Sequence, residues 1–225
     1  MTEAWPGKTS LFIIFSLYQS QHMGEGGEGD MPKIEKEWNK GGLSPEAVFL
    51  VDSLISQGKL GTIVDCGAGE GRHSLYAASK GAEKVISIEK DSEQASVLKR
   101  KKEESGLANL EVIEGDVLDK LTTIGDGLVD GIIDCGMSHC LTEESQREQF
   151  VALVRSKLKT GGLYSITHFS EKEILSQDHF KTNLEGLKRL FPGENWEEVM
   201  SWQEASWKRA DGQEHHAYKA VLRKK

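Results

Sequence analysis

Cysteine, proline and long apolar runs are all scarce in this sequence, and each scarcity excludes a class of protein. Its three cysteines are odd in number and include no Cys-x-x-Cys pair, so neither a disulfide scaffold nor a zinc signature is present. We therefore expect free thiols, no metal site and a cytoplasmic location. With only 4 prolines and 37% apolar residues, the chain has the composition of a globular protein and not of a disordered one.

The apolar stretch near the N-terminus, Leu11 to Tyr18, is too short to span a bilayer, so we expect no membrane segment. A linker rich in glycine and glutamate follows it at Gly24 to Asp30. The chain of 225 residues is long enough for one substantial core and short for two. We interpret residues 1–30 as an N-terminal extension and residues 31–225 as one domain.

Positive charge is also limited: 28 Lys and Arg stand against 36 Asp and Glu, a formal net charge of -8. Proteins that bind nucleic acid by neutralising phosphates need a positive surface, so this balance argues against a nucleic-acid partner. A small molecule is the expected partner. A basic peptide stays possible because an acidic surface would attract it, and the sequence leaves the oligomeric state open.

From Thr62 onward, short apolar runs alternate with charged helical stretches. Such alternation indicates an α/β fold of the doubly wound kind, with a mostly parallel sheet covered by helices. A helix is also expected to begin at Ser44, whose hydroxyl could cap it, and Pro45. The predicted strands are 62–66, 84–89, 110–114, 128–135, 162–168, 196–208 and 214–223, and the later helices are 72–79, 91–105, 142–158 and 183–191. Asp211-Gly212 predicts an antiparallel hairpin between the last two strands.

A glycine-rich loop ends the first strand at Gly67, Gly69 and Gly71 and leads into a helix at Arg72. Glycines allow a ligand to approach the backbone closely, and free amides at a helix start attract an anionic group. The spacing is not that of a dinucleotide site, because Arg72 stands where the third glycine would be. An acid, Asp65, precedes the loop.

Two further acids follow the next two strands. Glu89 ends the second strand, where a carboxylate can accept both hydroxyls of a ribose. Asp116 follows the third strand and can accept the amine of an adenine whose ring Val117 would line. Each acid alone is equally well explained as a turn-forming or capping residue, whereas together they indicate one ligand that carries hydroxyls and amines.

The segment Asp65 to Gly71, with Glu89 and Asp116, resembles the cofactor motifs of class I S-adenosylmethionine-dependent methyltransferases. Three further segments are similar to the tellurite-resistance and thiopurine methyltransferase-like branch: Gly71 to Tyr76, Asp134 to His139, and Trp196 to Lys225. The resemblance implies a Rossmann-like methyltransferase fold with a seven-stranded sheet and an antiparallel C-terminal hairpin. It also implies an enzyme whose cofactor is S-adenosylmethionine.

This resemblance assigns residues to three parts of a site. The cofactor-binding residues it implies are Asp65, Gly67, Ala68, Gly69 and Arg72 at the methionine part, Glu89 and Lys90 at the ribose, Asp116 and Val117 at the adenine, and Asp134. The acceptor is expected near Asp134 and His139, the two predicted catalytic residues. His139 suits general base work, although a buried or capping histidine explains it as well.

The predicted function is methyl transfer to a small acceptor, which could be a thiol, a soft anion, an amine or a hydroxyl. A protein methyltransferase and a non-catalytic subunit that binds S-adenosylmethionine remain alternatives. A nicotinamide-dependent oxidoreductase is disfavoured by Arg72 and by the terminal hairpin.

Overall fold

The computed structural model describes residues 42–174, 177–208 and 213–225, and every structural statement below refers to them. The predicted extension over residues 1–30 and the Asp211-Gly212 turn lie outside these ranges. No helix in the described ranges has both the length and the apolar character needed to cross a membrane.

Helices and strands alternate along the described chain as predicted. The helices are α1 (Pro45–Ser56), α2 (Arg72–Ser79), α3 (Ser92–Ser105), α4 (Val117–Thr122), α5 (Glu144–Lys157) and α6 (Leu184–Leu190). The strands are β1 (Thr62–Cys66), β2 (Lys84–Glu89), β3 (Leu110–Glu114), β4 (Val129–Cys135), β5 (Leu158–Phe169), β6 (Trp196–Lys208) and β7 (Glu214–Lys224). A short 3-10 turn, Ser138–Cys140, follows β4.

The seven strands form one sheet in the order β3-β2-β1-β4-β5-β7-β6. Strands β1 to β5 are parallel, and β7 is antiparallel to both β5 and β6. The structure therefore confirms the predicted fold class, including the C-terminal hairpin. Cys66 pairs with Asp134 and Glu89 with Glu114, so neighbouring parallel strands end at a common edge of the sheet. This carboxyl edge carries the predicted site.

The central strands lie within the core. Ile63 and Val64 on β1 and Ile132 and Ile133 on β4 are completely buried, because helices cover both faces of the sheet. The short apolar runs in these strands allowed them to be predicted from the sequence. The core continues to Tyr164 on β5, which packs near other aromatic rings of the C-terminal region.

Three local expectations were wrong. The Ser44 hydroxyl does not cap α1 but bonds His73 Nε2 at 2.9 Å, although Pro45 does occupy the first turn. Strand β5 begins at Leu158 and not at residue 162, because Leu158 pairs with Val129 ahead of an irregularity in the register. Helix α4 was missed, since a six-residue helix shows too little periodicity to be recognised.

Candidate active site

The glycine loop folds back onto the end of β2. Gly67, Gly69 and Gly71 have φ values of 69°, 58° and 84°, a left-handed conformation that glycine adopts without strain. The amides of Gly67 and Ala68 donate to the Ile88 carbonyl at 2.9 and 3.0 Å. These two amides are thus already used within the protein, and they lie ahead of the start of α2 at Arg72.

Glycine at position 67 is also required by a close neighbour. A Cβ atom there would lie 2.7 Å from Cβ of Met137, which belongs to the segment after β4. The glycine loop and the β4 segment are therefore in contact across the carboxyl edge. This contact brings the predicted cofactor loop next to the predicted acceptor residues.

Glu89 binds the glycine loop through its side chain. Its Oε2 accepts the amide of Gly69 at 2.7 Å, and its Oε1 accepts the amide of Asp91 at 2.8 Å. The side chain is buried at 8% exposure. A carboxylate has about four acceptor positions, so two remain for hydroxyl groups of a ligand.

Asp65 points to a different neighbour. Its Oδ2 accepts the Ser74 hydroxyl at 2.6 Å, and Ser74 in turn accepts the Ser87 hydroxyl at 2.7 Å. Burial raises the pKa of Asp65 to about 6. These contacts join β1, α2 and β2 beneath the glycine loop, so they favour a positioning role over direct contact with a ligand.

Asp116 lies at the carboxyl edge after β3. It caps α4 by accepting the Leu118 amide at 2.9 Å, and its other oxygen pairs with Lys90 at 3.0 Å. The Lys90 contact helps hold the pKa of Asp116 below its ordinary value, although partial burial opposes it. Val117 beside it is buried. The capping explanation that the sequence left open is thus correct, and the second carboxylate oxygen still lies on the surface.

Asp134 holds the segment after β4 in place. One oxygen accepts the amides of Met137 and Ser138 at 2.9 and 3.1 Å, and the other accepts the Tyr164 hydroxyl at 2.7 Å. Burial raises the pKa of Asp134 above its ordinary value, and these hydrogen bonds lower it in part. With three donors on a fully buried carboxylate, Asp134 acts as a positioning residue beneath residues 136–139, the segment where the acceptor is expected and which we call the acceptor segment.

His139 lies in the 3-10 turn that Asp134 supports. Its ring stacks on Phe169 with centroids 3.8 Å apart, and the rings of His168 and His179 approach it edge-on. Burial lowers the pKa of His139 well below its ordinary value, and the two neighbouring histidines add to the effect. The imidazole is therefore neutral at neutral pH.

Arg72 reaches the end of β4, where its guanidinium donates to Cys135 Sγ at 3.4 Å. It thus lies between β1 and β4, the central position at which doubly wound sheets bind ligands. All three cysteines are free, as expected. Cys66 and Cys135 end neighbouring strands, also as expected.

Glu46 is a buried acid at the same edge that the sequence analysis missed. Its carboxylate accepts the hydroxyl of Thr167 and pairs with Lys219 at 3.3 Å, with only 1% of the residue exposed. One signal could have revealed it: Glu46 lies one turn before Leu50 and two before Leu54, on the apolar face of α1.

Comparison with known proteins agrees with this geometry. Residues 63–162 match the family model described as a methyltransferase domain. This range begins on β1 and ends within β5, so it includes the glycine loop, Glu89, Asp116 and the acceptor segment. No curated protein matches the chain.

Solved structures share the fold at low sequence identity. TehB from Haemophilus influenzae superposes with a TM-score of 0.67 at 18% identity, covering 84% of this chain and 64% of that one. The 1,6-didemethyltoxoflavin-N1-methyltransferase of Burkholderia thailandensis was solved with bound S-adenosylhomocysteine. It superposes with a TM-score of 0.62 at 16% sequence identity, covering 100% of this chain and 92% of that one. A geranyl diphosphate methyltransferase in complex with S-adenosylmethionine superposes with a TM-score of 0.63 at 17% sequence identity, covering 80% of this chain and 84% of that one.

A sheet of this order, with a glycine loop and acidic residues along its carboxyl edge, defines the class I methyltransferase fold. The match to the methyltransferase-domain model covers residues 63–162, from β1 into β5. This match and the shared fold together support a methyltransferase enzyme that uses S-adenosylmethionine.

Proposed function

We propose that this methyltransferase transfers the methyl group of S-adenosylmethionine to a small-molecule acceptor at the carboxyl edge of the sheet. The observation that carries the proposal is the placement of Glu89. This buried carboxylate binds the glycine loop and keeps acceptor positions for a ribose. Asp116 lies at the end of the next strand, where an adenine amine would complete the contact.

The residues at this edge fit the cofactor in chemistry as well as in position. Ribose hydroxyls and the adenine amine are donors, and Glu89 and Asp116 are acceptors. Left-handed glycines at positions 67 and 69 allow the methionine part to approach the backbone, with Arg72 for its carboxylate and Lys90 beside the ribose. When bound, S-adenosylmethionine supplies a methyl group that its sulfonium has already activated.

The acceptor would lie beside His139. The neutral imidazole can take up a proton from an amine, hydroxyl or thiol, while a soft anion needs no base. Asp134 and Tyr164 keep the turn that carries His139 in one conformation. The main tasks of these residues are to orient the acceptor and to keep water out, since the methyl donor is reactive by itself.

The net charge of the chain agrees with a small acceptor, and its free thiols agree with a location in the cytoplasm. The net charge of -8 would repel nucleic acid. The three free cysteines suit a reducing compartment. A basic peptide would not be repelled, so proteins belong in the acceptor screen.

Two measurements on the full chain test this proposal. Thermal shift with S-adenosylhomocysteine should raise the melting temperature, while NADH at the same concentration should leave it unchanged, because a ligand stabilises only a protein that binds it. Labelled S-adenosylmethionine should then transfer its methyl group to one member of a panel of thiols, halides, amines, hydroxyl compounds and basic proteins.

The two measurements separate two errors. Stabilisation by NADH and not by S-adenosylhomocysteine would overturn the cofactor assignment. Methyl transfer to the basic proteins alone would overturn the small-molecule acceptor and leave the cofactor assignment intact.

A further inference from the structure

Two histidines and a cysteine come together at the acceptor end of the site. One imidazole nitrogen of His139, one of His179 and the sulfur of Cys140 all lie within 4.8 Å of one another. The rings of His139 and His179 have centroids 5.2 Å apart in an edge-on arrangement. Neither Cys66 nor Cys135 belongs to this group, so it is distinct from the thiols at the strand ends.

The backbone fixes this group in place. The amide of Phe180 donates to the carbonyl of His139 at 2.7 Å, which ties the segment carrying His179 to the 3-10 turn. The Phe180 ring lies edge-on to the ring of His168. The guanidinium carbon of Arg147 stacks over the Phe180 ring, 3.5 Å from its centroid. The contacts of Phe180 therefore hold the neighbouring His179 beside the turn.

The Nδ1 atoms of both histidines lack hydrogen-bond partners among the described residues. His139 is 6% exposed, and its Nδ1 is buried with no hydrogen-bond partner among the described residues. The Nδ1 of His179 is buried and unpartnered in the same sense. A buried imidazole nitrogen without a partner loses free energy, so native proteins usually satisfy such atoms with a protein group, a water or an ion.

We propose that His139, Cys140 and His179 bind one Zn²⁺ ion and leave its fourth position open. Two nitrogens and one sulfur are donors that zinc prefers, and three protein ligands are typical of sites that also bind a water or substrate. Around a tetrahedral zinc ion, ligand atoms are separated by about 3.4 to 3.6 Å. The present separations of 4.8 Å or less would have to shorten when the ion binds; Cys140 is exposed and His179 is half-buried.

Zinc at this position would change the role of His139. A neutral imidazole has one unprotonated nitrogen, so His139 cannot bind the ion and accept a proton at once. The spacing of the cysteines predicted no metal because His179 comes from a distant part of the chain. The inference stands independently of methyl transfer, since metal binding is measured without the cofactor.

The first test is metal binding by the full chain after treatment with a chelator. Titration with Zn²⁺ against a chromophoric chelator should show one ion per chain with micromolar or tighter affinity. Titration with Co²⁺ should produce the near-ultraviolet charge-transfer band of a cobalt thiolate. Failure of the wild-type chain to bind Zn²⁺ would overturn the proposal.

The second test uses matched variants of residues at or near the surface. C140S should abolish the charge-transfer band. His179→Asn should weaken zinc binding at least about tenfold, because even outer partners of metal-binding histidines contribute 10–100-fold. The controls C135S and His216→Asn, which lie outside the group, should bind as the wild type does. Circular dichroism checks that each variant is folded.

Two results of this series would contradict the site. A band that survives in C140S would mean that another thiol binds the cobalt. Equal zinc affinity in His179→Asn and His216→Asn would mean that the ion binds elsewhere.

Discussion

Glu89 Oε2 accepts the backbone amide of Gly69 at 2.7 Å, and this bond joins the two motifs that the sequence shows separately. The same carboxylate accepts the amide of Asp91, the N-cap of α3. One side chain at the end of β2 thus fixes both the glycine loop and the start of the next helix. Because the proposed function also places the ribose on this carboxylate, its removal should affect cofactor binding and stability together.

Glu89→Ala should weaken binding of S-adenosylhomocysteine by about 1 to 3 kcal/mol, because it removes a charged acceptor from paired hydroxyls. Isothermal titration calorimetry measures the change. The melting temperature should also fall, since the buried amide of Gly69 loses its acceptor.

Glu114→Ala is the matched control for Glu89. Glu114 pairs with Glu89 in the sheet register but is about half exposed and contacts Lys99. Its removal should leave the affinity for S-adenosylhomocysteine unchanged. Equal affinities for the two variants would remove Glu89 from the site.

Asp116→Asn separates the two roles of Asp116. The amide oxygen of asparagine can still accept the Leu118 amide, so the cap of α4 and the melting temperature should be kept. Loss of the charge should weaken S-adenosylhomocysteine binding by roughly 1 kcal/mol. Asp116→Ala should in addition lower the free energy of unfolding by about 1 kcal/mol. Unchanged binding in both variants would show that Asp116 is a cap and nothing more.

Tyr164→Phe should destabilise the protein by about 1 to 3 kcal/mol, because it removes a hydrogen bond to a buried carboxylate, that of Asp134. Urea unfolding measures this change. Tyr218→Phe is the control: its hydroxyl lies 3.5 Å from Glu171, and its loss should change stability by less than about 0.5 kcal/mol. Equal stabilities of the two variants would show that Asp134 does not depend on Tyr164.

Asp65→Asn should change how stability depends on pH. Burial raises the pKa of Asp65 to about 6 from its ordinary value of 3.8, so the folded state binds more protons between these values. The contribution of Asp65 to stability therefore decreases as pH rises from about 4 to 6. Above pH 6 its ionisation costs about 3 kcal/mol, at 1.36 kcal/mol per pKa unit. The variant should thus be more stable than the wild type at pH 8 and equal to it near pH 4. A difference in stability between the variant and the wild type that does not change with pH would contradict this pKa.

The fold could be predicted because its central strands are buried on both faces. Short apolar runs such as Ile63-Val64 and Ile132-Ile133 can be recognised without neighbours in space. Glu89 and Asp116 could be placed because Glu89 ends a strand and Asp116 lies two residues after one. Sequence order alone was enough to bring them to one edge.

The roles of other site residues depend on contacts between distant segments. Asp134 was predicted as a catalytic and cofactor-binding residue, and its hydrogen bond from Tyr164 on β5 could not be foreseen from the sequence. Glu46 depends on Thr167 and Lys219, and His179 on the bond from Phe180 to His139. The sequence could have shown that Glu46 lies on the apolar face of α1, but no local pattern encodes which distant residues these side chains contact.

A crystal structure of the full chain with S-adenosylhomocysteine tests the central claim most directly. The account predicts the ribose hydroxyls on Glu89, the adenine beside Asp116 and Val117, and the sulfur facing the turn that carries His139. A nucleoside bound away from the carboxyl edge, or one that leaves Glu89 in contact only with Gly69 and Asp91, would contradict it.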